Sequence, residues 1–146
     1  MQKKIIDVSR HQEKIDWSKV KGNVDGVIIR CGFGADISKN DDSQFKSNVE
    51  GCIKNGIPFG IYLYSYAKSM EAAISEANHV LRLVEPYKDM ISYPIYYDLE
   101  EKGTQDGAVE RAKAFGDIIE AAGYWCGIYA NQSWWKEYLG NKLDRF

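Results

Sequence analysis

Asp98 and Glu100 stand two residues apart at the end of YPIYYDLEE, residues 93–101, an aromatic and apolar run of the kind that builds a buried strand. Alternate side chains of a strand point the same way, so Tyr96, Asp98 and Glu100 share one face while Tyr97, Leu99 and Glu101 share the other. A lone acid at a strand end commonly caps a helix or sits in solvent. Two on one face of such a strand are costly as mere structure. Their chemistry is that of paired carboxyls: like charges crowded in a cleft raise the pKa of at least one, so one group holds a proton near neutral pH while its neighbour is ionised. General acid catalysis needs that division. A third acid, Asp7, ends the run KKIID in the same manner. Glu101, on the opposite face, reads as a solvated or capping residue.

These acids need a frame that brings distant strand ends together. Five short runs rich in Ile, Val and Tyr recur along the chain: KKIIDVS, DGVIIRCG, FGIYLYSYA, YPIYYDLE and WCGIYAN. Helical patterns separate most of them. In SMEAAISEANHVLRLVE the apolar positions Met70, Ala73, Ile74, Ala77, Val80, Leu81 and Val84 recur at threes and fours, the mark of one buried face. DDSQFKSNVEGCIKNG repeats the pattern with Phe45, Val49, Cys52 and Ile53. Gly56 and Gly123 follow their helices as stops. Strand, helix, glycine, strand is the repeating unit, which argues for parallel strands joined by right-handed crossovers, hence an α/β sheet or barrel. In a parallel barrel all C-terminal strand ends reach one rim, where active sites lie. Asp7, Asp98 and Glu100 are expected to converge there.

Composition narrows the classes. The 146 residues are 45% hydrophobic and 13% aromatic, enough for one globular domain over 1–146 with a core of its own. Nineteen basic residues against 21 acidic ones, scattered along the chain, suggest neither a nucleic-acid footprint nor a membrane-surface patch. No run reaches the ~20 apolar residues of a membrane span, and no signal-peptide segment precedes the first strand. Cys31, Cys52 and Cys126 lack metal-ligand or disulfide spacing and read as small core residues. His11 and His79 have no second ligand beside them, so surface or packing roles are expected and no metal site. GFG at 32–34 is a turn, lacking the rest of a nucleotide-binding fingerprint. Trp134 or Trp135 is expected to pack against the barrel, with glycan binding as the lesser alternative.

The motifs IIDVSRHQEKIDW, VIIRCGFG, GIYLYSYA, PIYYDLE and GIYANQSWW resemble the successive strand motifs of glycoside hydrolase family 25, the Chalaropsis-type lysozymes. The resemblance runs from about residue 4 to the end. It implies a TIM-like (β/α) barrel and a muramidase that cleaves the β-1,4 bond between N-acetylmuramic acid and N-acetylglucosamine in bacterial cell-wall peptidoglycan, without metal or organic cofactor. Carried over position by position, Glu100 is the general acid, Asp98 orients substrate or stabilises charge, and Asp7 completes the cluster. Acids at the strand end then answer the need of glycosidic cleavage for a proton donor and for negative charge near an oxocarbenium-like transition state. Residues two apart on a strand have Cα atoms roughly 6.6 Å apart, which leaves retaining, inverting and substrate-assisted routes all open.

Aromatic residues extend the candidate site. Tyr62, Tyr64 and Tyr66 alternate along one face of the third strand and Tyr129 sits in the fifth, flat side chains of the kind on which sugar rings stack. Core filling is the competing account, above all for Tyr66. Arg30, near the end of the second strand, is expected to pair with a site carboxylate, Asp7 or Asp98, and to help keep it ionised. Two other functions fit the same residues: a wall-glycan binding module that does not cut, and a chain kept for its fold alone. The resemblance places about three more strands and another site aspartate after the fifth unit, whereas this sequence stops at NKLDRF. Unpaired edges at the first and fifth strands are expected to make the 146-residue chain a homo-oligomer or a poorly stable monomer of little activity.

Overall fold

In a computed structural model, which describes residues 2–146, five parallel strands lie in the order of the sequence: β1 (Ile5–Val8), β2 (Gly26–Phe33), β3 (Phe59–Tyr64), β4 (Ile95–Asp98) and β5 (Cys126–Tyr129). Between them run α1 (Trp17–Val20), α2 (Phe45–Lys54), α3 (Met70–Val84) and α4 (Ala108–Ala121), and α5 (Gln132–Trp134) continues into a π-helical turn over Trp135–Leu139. Each strand is added on the same side of the last one. Right-handed crossovers then put the helices on a single face, the winding of a (β/α) barrel rather than of a sheet covered on both sides. Among the described residues the sheet is open, since β1 and β5 each have one neighbour.

Alternation along the strands decides what each face holds. Val27, Ile29 and Cys31 of β2, Phe59, Ile61 and Leu63 of β3, and Ile95, Tyr97 and Leu99 at β4 are buried and form the core with Val49, Ala77, Val80, Ala112, Phe115 and Ile119 of the helices. Burying a large apolar side chain stabilises by roughly 1.5–3 kcal/mol, so this face fixes the register. A slip of one residue would turn every one of these side chains outward. The intervening residues, among them Ile28, Arg30, Tyr62, Tyr64, Tyr96 and Asp98, face the other way.

The helices start and stop where local chemistry dictates. Ser69 caps α3 by accepting from the Ala72 amide, and Asp16 caps α1 by accepting from Ser18 N. Gly56 and Gly123 follow α2 and α4 with φ of +66° and +94°, a conformation in which a Cβ would be strained. The expected apolar stripe of α3 differs at its margin. Met70 and Ile74 stay exposed, as does Ile53 of α2, while Glu76 and His79 are buried in the stripe instead. The three cysteines are free and buried. Trp134 is buried and Trp135 half-buried against the core.

Candidate active site

The sheet face turned away from the helices opens into a cavity of about 560 Å³. β1 contributes Asp7 with Ile5 and Ile6, β2 contributes Ile28 and Arg30, and β3 contributes Tyr62 and Tyr64. β4 supplies Tyr96 and Asp98, followed by Glu100, and β5 supplies Tyr129. Parallel register sets their mutual positions: Arg30 pairs with Tyr62 and Tyr62 with Tyr96, while Asp98 stands between Tyr64 on one side and Tyr129 on the other. All three expected carboxylates therefore reach one cavity, with Tyr62, Tyr64, Tyr129 and Arg30 on the same walls. Tyr66 is left outside it, beyond the end of β3 and half exposed.

Asp98 and Glu100 share a face but not an environment. Asp98 is 6% exposed, and its Oδ1 is buried with no hydrogen-bond partner among the described residues; Glu100 is exposed. Burial pushes the Asp98 carboxyl up to about 9, helped by the adjoining Glu100 and then by Asp7, with Arg30 opposing. The value belongs to the pair, which retains a proton at neutral pH. Burial also raises the phenols around them: Tyr62 far above its ordinary range and Tyr64 to about 12, the latter helped by Glu101 and Glu100. Both remain hydrogen-bond donors through the physiological range.

This asymmetry has a measurable consequence for stability. Between the ordinary carboxyl value of 3.8 and about 9 the folded chain binds the Asp98 proton more tightly than the unfolded chain does. The associated stability is complete below 3.8 and is lost as pH rises through about 9. Asp98→Asn removes that loss. The variant is expected to exceed the parent at pH 7 by about 1 kcal/mol or more, roughly 2–4 °C in melting temperature per kcal/mol for a chain of this size. Melting curves at pH 4, 7 and 9 check it; a variant that gains nothing over the parent between pH 4 and 9 would mean that Asp98 ionises freely.

Arg30 departs from expectation. Its Nε donates to Asp42 Oδ2 at 2.8 Å, not to Asp7 or Asp98. The same Oδ2 accepts from Arg10 N at 2.9 Å and Oδ1 accepts from Gln44 N at 2.9 Å, so Asp42 fastens the turn after β1 and the start of α2 to β2. Arg30 Nη2 is buried and unpaired. Its charge reaches the Asp98 carboxyl, yet burial and the other acids outweigh it.

Two supporting residues, Glu76 and Arg111, carried no sequence signal. Glu76 of α3, 1% exposed, accepts from Ser65 Oγ at 2.7 Å, Tyr97 OH at 2.5 Å and Tyr66 N at 2.8 Å, tying the rim ends of β3 and β4 together from behind. Burial raises its carboxyl and these three bonds oppose the rise. Arg111 of α4 donates to the carbonyls of Asp106 and Thr104, holding the loop that follows Glu100. His11, on the 3-10 turn Arg10–Gln12, lines the cavity, whereas His79 is buried with Nδ1 2.9 Å from Gly34 O and Nε2 2.7 Å from Asp41 Oδ1.

Known proteins resemble the chain in sequence and fold. The family model of glycosyl hydrolases family 25 matches residues 6–145. Over 94% of this chain the structure is similar to the modular autolysin LytC from Streptococcus pneumoniae, with 34% identity and a TM-score of 0.82, covering 34% of that protein. LytC has also been solved in complex with a synthetic peptidoglycan ligand. The catalytic domain of endolysin ply40 from bacteriophage P40 of Listeria monocytogenes is similar at 29% identity and a TM-score of 0.79, over 94% of this chain and 68% of that one. An uncharacterised Escherichia coli K12 protein, YegX, is 33% identical over 101 residues, 67% of this chain and 36% of its own length. The chain thus spans about a third of the length of LytC and of YegX.

Proposed function

The chain belongs to glycosyl hydrolases family 25, and from that premise we propose that its site is that of a peptidoglycan hydrolase of lysozyme type, cutting the β-1,4 bond between N-acetylmuramic acid and N-acetylglucosamine. One observation carries the reading: a buried carboxyl with a raised pKa, Asp98, beside an exposed one, Glu100, on the rim of a parallel sheet and facing Asp7 across the same cavity. The similarity to LytC, solved with a peptidoglycan ligand, supports the substrate class.

Glu100, exposed at the cavity mouth, is the proton donor to the leaving glycosidic oxygen. The one proton that the pair retains at neutral pH is shared with Glu100, which delivers it, while Asp98 stays buried beside it. Asp7 supplies negative charge against the oxocarbenium-like transition state. Tyr62 and Tyr64 offer hydroxyl donors to sugar oxygens and ring faces to the sugar itself. The substrate places the site of action at the bacterial cell wall, outside the cell. A purified wall suspension tests the reading. Loss of turbidity is expected; sedimentation with the wall but no clearing would make this a binding module, and neither would leave a chain kept for its fold.

The open sheet supports a second proposal, for the 146-residue chain by itself. β1 and β5 each leave one edge unpaired among the described residues, and exposed edges recruit strands. The chain is expected to pair through them with a second copy. Sedimentation velocity at micromolar concentration checks it, and a single monomeric species would count against it.

A further inference from the structure

Beside the cavity lies an aromatic shelf that the catalytic scheme does not use. Tyr66 is 50% exposed and is nonetheless held in place. Its amide donates to buried Glu76, its ring stands 5.1 Å from Tyr64 and 6.0 Å from Phe33, and Gly34, at φ +64°, turns the chain against its side chain. Phe33 in turn is flanked by two guanidinium groups, Arg10 at 5.4 Å and Arg30 at 5.7 Å from the ring centre. Arg30 is committed to Asp42, whereas Arg10, exposed on the turn after β1, bonds only through its backbone and has no side-chain hydrogen bond or ion pair among the described residues. Tyr64 and Arg30 are also cavity walls, so the shelf is continuous with the site at both ends.

Tyr66 is half exposed although two aromatic neighbours hold its ring, which leaves a fixed flat face open to a ligand. Tyr66 and Phe33 offer flat apolar faces, and Arg10 offers a planar guanidinium with its donors free, a geometry that matches a carboxylate in two parallel hydrogen bonds. Resting on the reading of the cavity as a glycan-cleaving site, we propose that Arg10, Phe33 and Tyr66 form a separate subsite that binds a carboxylate-bearing unit of the polymer next to the unit held over Asp98 and Glu100. Tyr66 stacks on that unit and Arg10 pairs with its carboxylate. Specificity for an anionic polymer over a neutral one then resides on this shelf, apart from the acids that do the chemistry.

Calorimetric binding of two soluble ligands tests this without requiring turnover: a muramic acid-containing disaccharide-peptide, which carries carboxylates, and chitotetraose, which carries none. The parent should bind the first more tightly, with a preference that shrinks as salt is added. Arg10→Ala should weaken the charged ligand by on the order of tenfold and the neutral one by under about threefold, with Arg10→Lys between parent and Ala. Tyr66→Ala should weaken both ligands alike, by about two- to tenfold. Equal losses on both ligands in Arg10→Ala, or a parent with no preference for the charged ligand, would overturn the subsite. A parent that prefers the charged ligand through Arg10 yet never clears a wall suspension would leave the shelf standing and remove the hydrolase reading instead.

Discussion

Glu100→Gln is expected to lower wall hydrolysis by about 10²–10⁴-fold, the usual contribution of a positioned general acid. The amide fills the same space and the side chain is exposed, so folding should be unchanged. What is lost is the proton. Asp98 does not replace it, because its carboxyl is buried at the cavity wall while Glu100 stands at the mouth. Rates of turbidity loss over pH 4–8, with melting curves as a control for folding, decide the matter. A variant that keeps its rate within a factor of a few would remove Glu100 from the acid role and leave Asp98, with its raised pKa, as the remaining donor of the pair.

Asp42→Ala is expected to cost about 3–5 kcal/mol of stability, the toll of leaving a buried cation without its partner. Arg30 is 8% exposed, and among the described residues its one side-chain hydrogen bond runs to Asp42. Two backbone amides, those of Arg10 and Gln44, lose their acceptor in the same substitution. Pairing the change with Arg30→Met should recover much of the loss, since an apolar side chain of similar length needs no partner. Urea unfolding of the two single variants and the double variant measures the coupling. A loss below about 1 kcal/mol in Asp42→Ala would mean that Arg30 turns to Asp7 or Asp98, the pairing its sequence position suggests.

What the sequence discloses and what it hides follow from the range of the interactions. Asp7, Asp98 and Glu100 are legible because strand alternation is local and parallel connections send every C-terminal end to one rim. The same logic places Tyr62 and Tyr64 on the cavity wall, and it fails for Tyr66 because β3 ends at Tyr64 and the alternation ends with it. Asp42 hides in KNDDSQ, where two adjacent acids look like a solvated loop; only the fold brings one of them to a guanidinium twelve residues earlier. Glu76 hides better still. Its place in the α3 pattern looks like a polar gap beside Ala77, and its three partners lie ten to 21 residues away, after β3 and in β4, the two strands that α3 connects. Met70 and Ile74 fit the helical stripe by spacing but lie at its margin, where neighbouring elements do not cover them.

Glu76 and Asp42 share a logic. Each is a buried carboxylate bonded to backbone amides of a rim segment, so each fixes main chain rather than substrate. The cavity is therefore held by Glu76 from the helix side of the sheet and by Asp42 through Arg30 at its wall, while its open side stays free for a polymer.

The most direct test of the central claim is the identity of the sugar at the new reducing end. Purified peptidoglycan digested by the protein, reduced with borohydride and hydrolysed, is expected to yield the reduced form of muramic acid, in amounts that rise with turbidity loss and are absent with Glu100→Gln. Reduced glucosamine in its place, or clearing with no new reducing ends, would contradict the assignment of Asp7, Asp98 and Glu100 to muramidase chemistry.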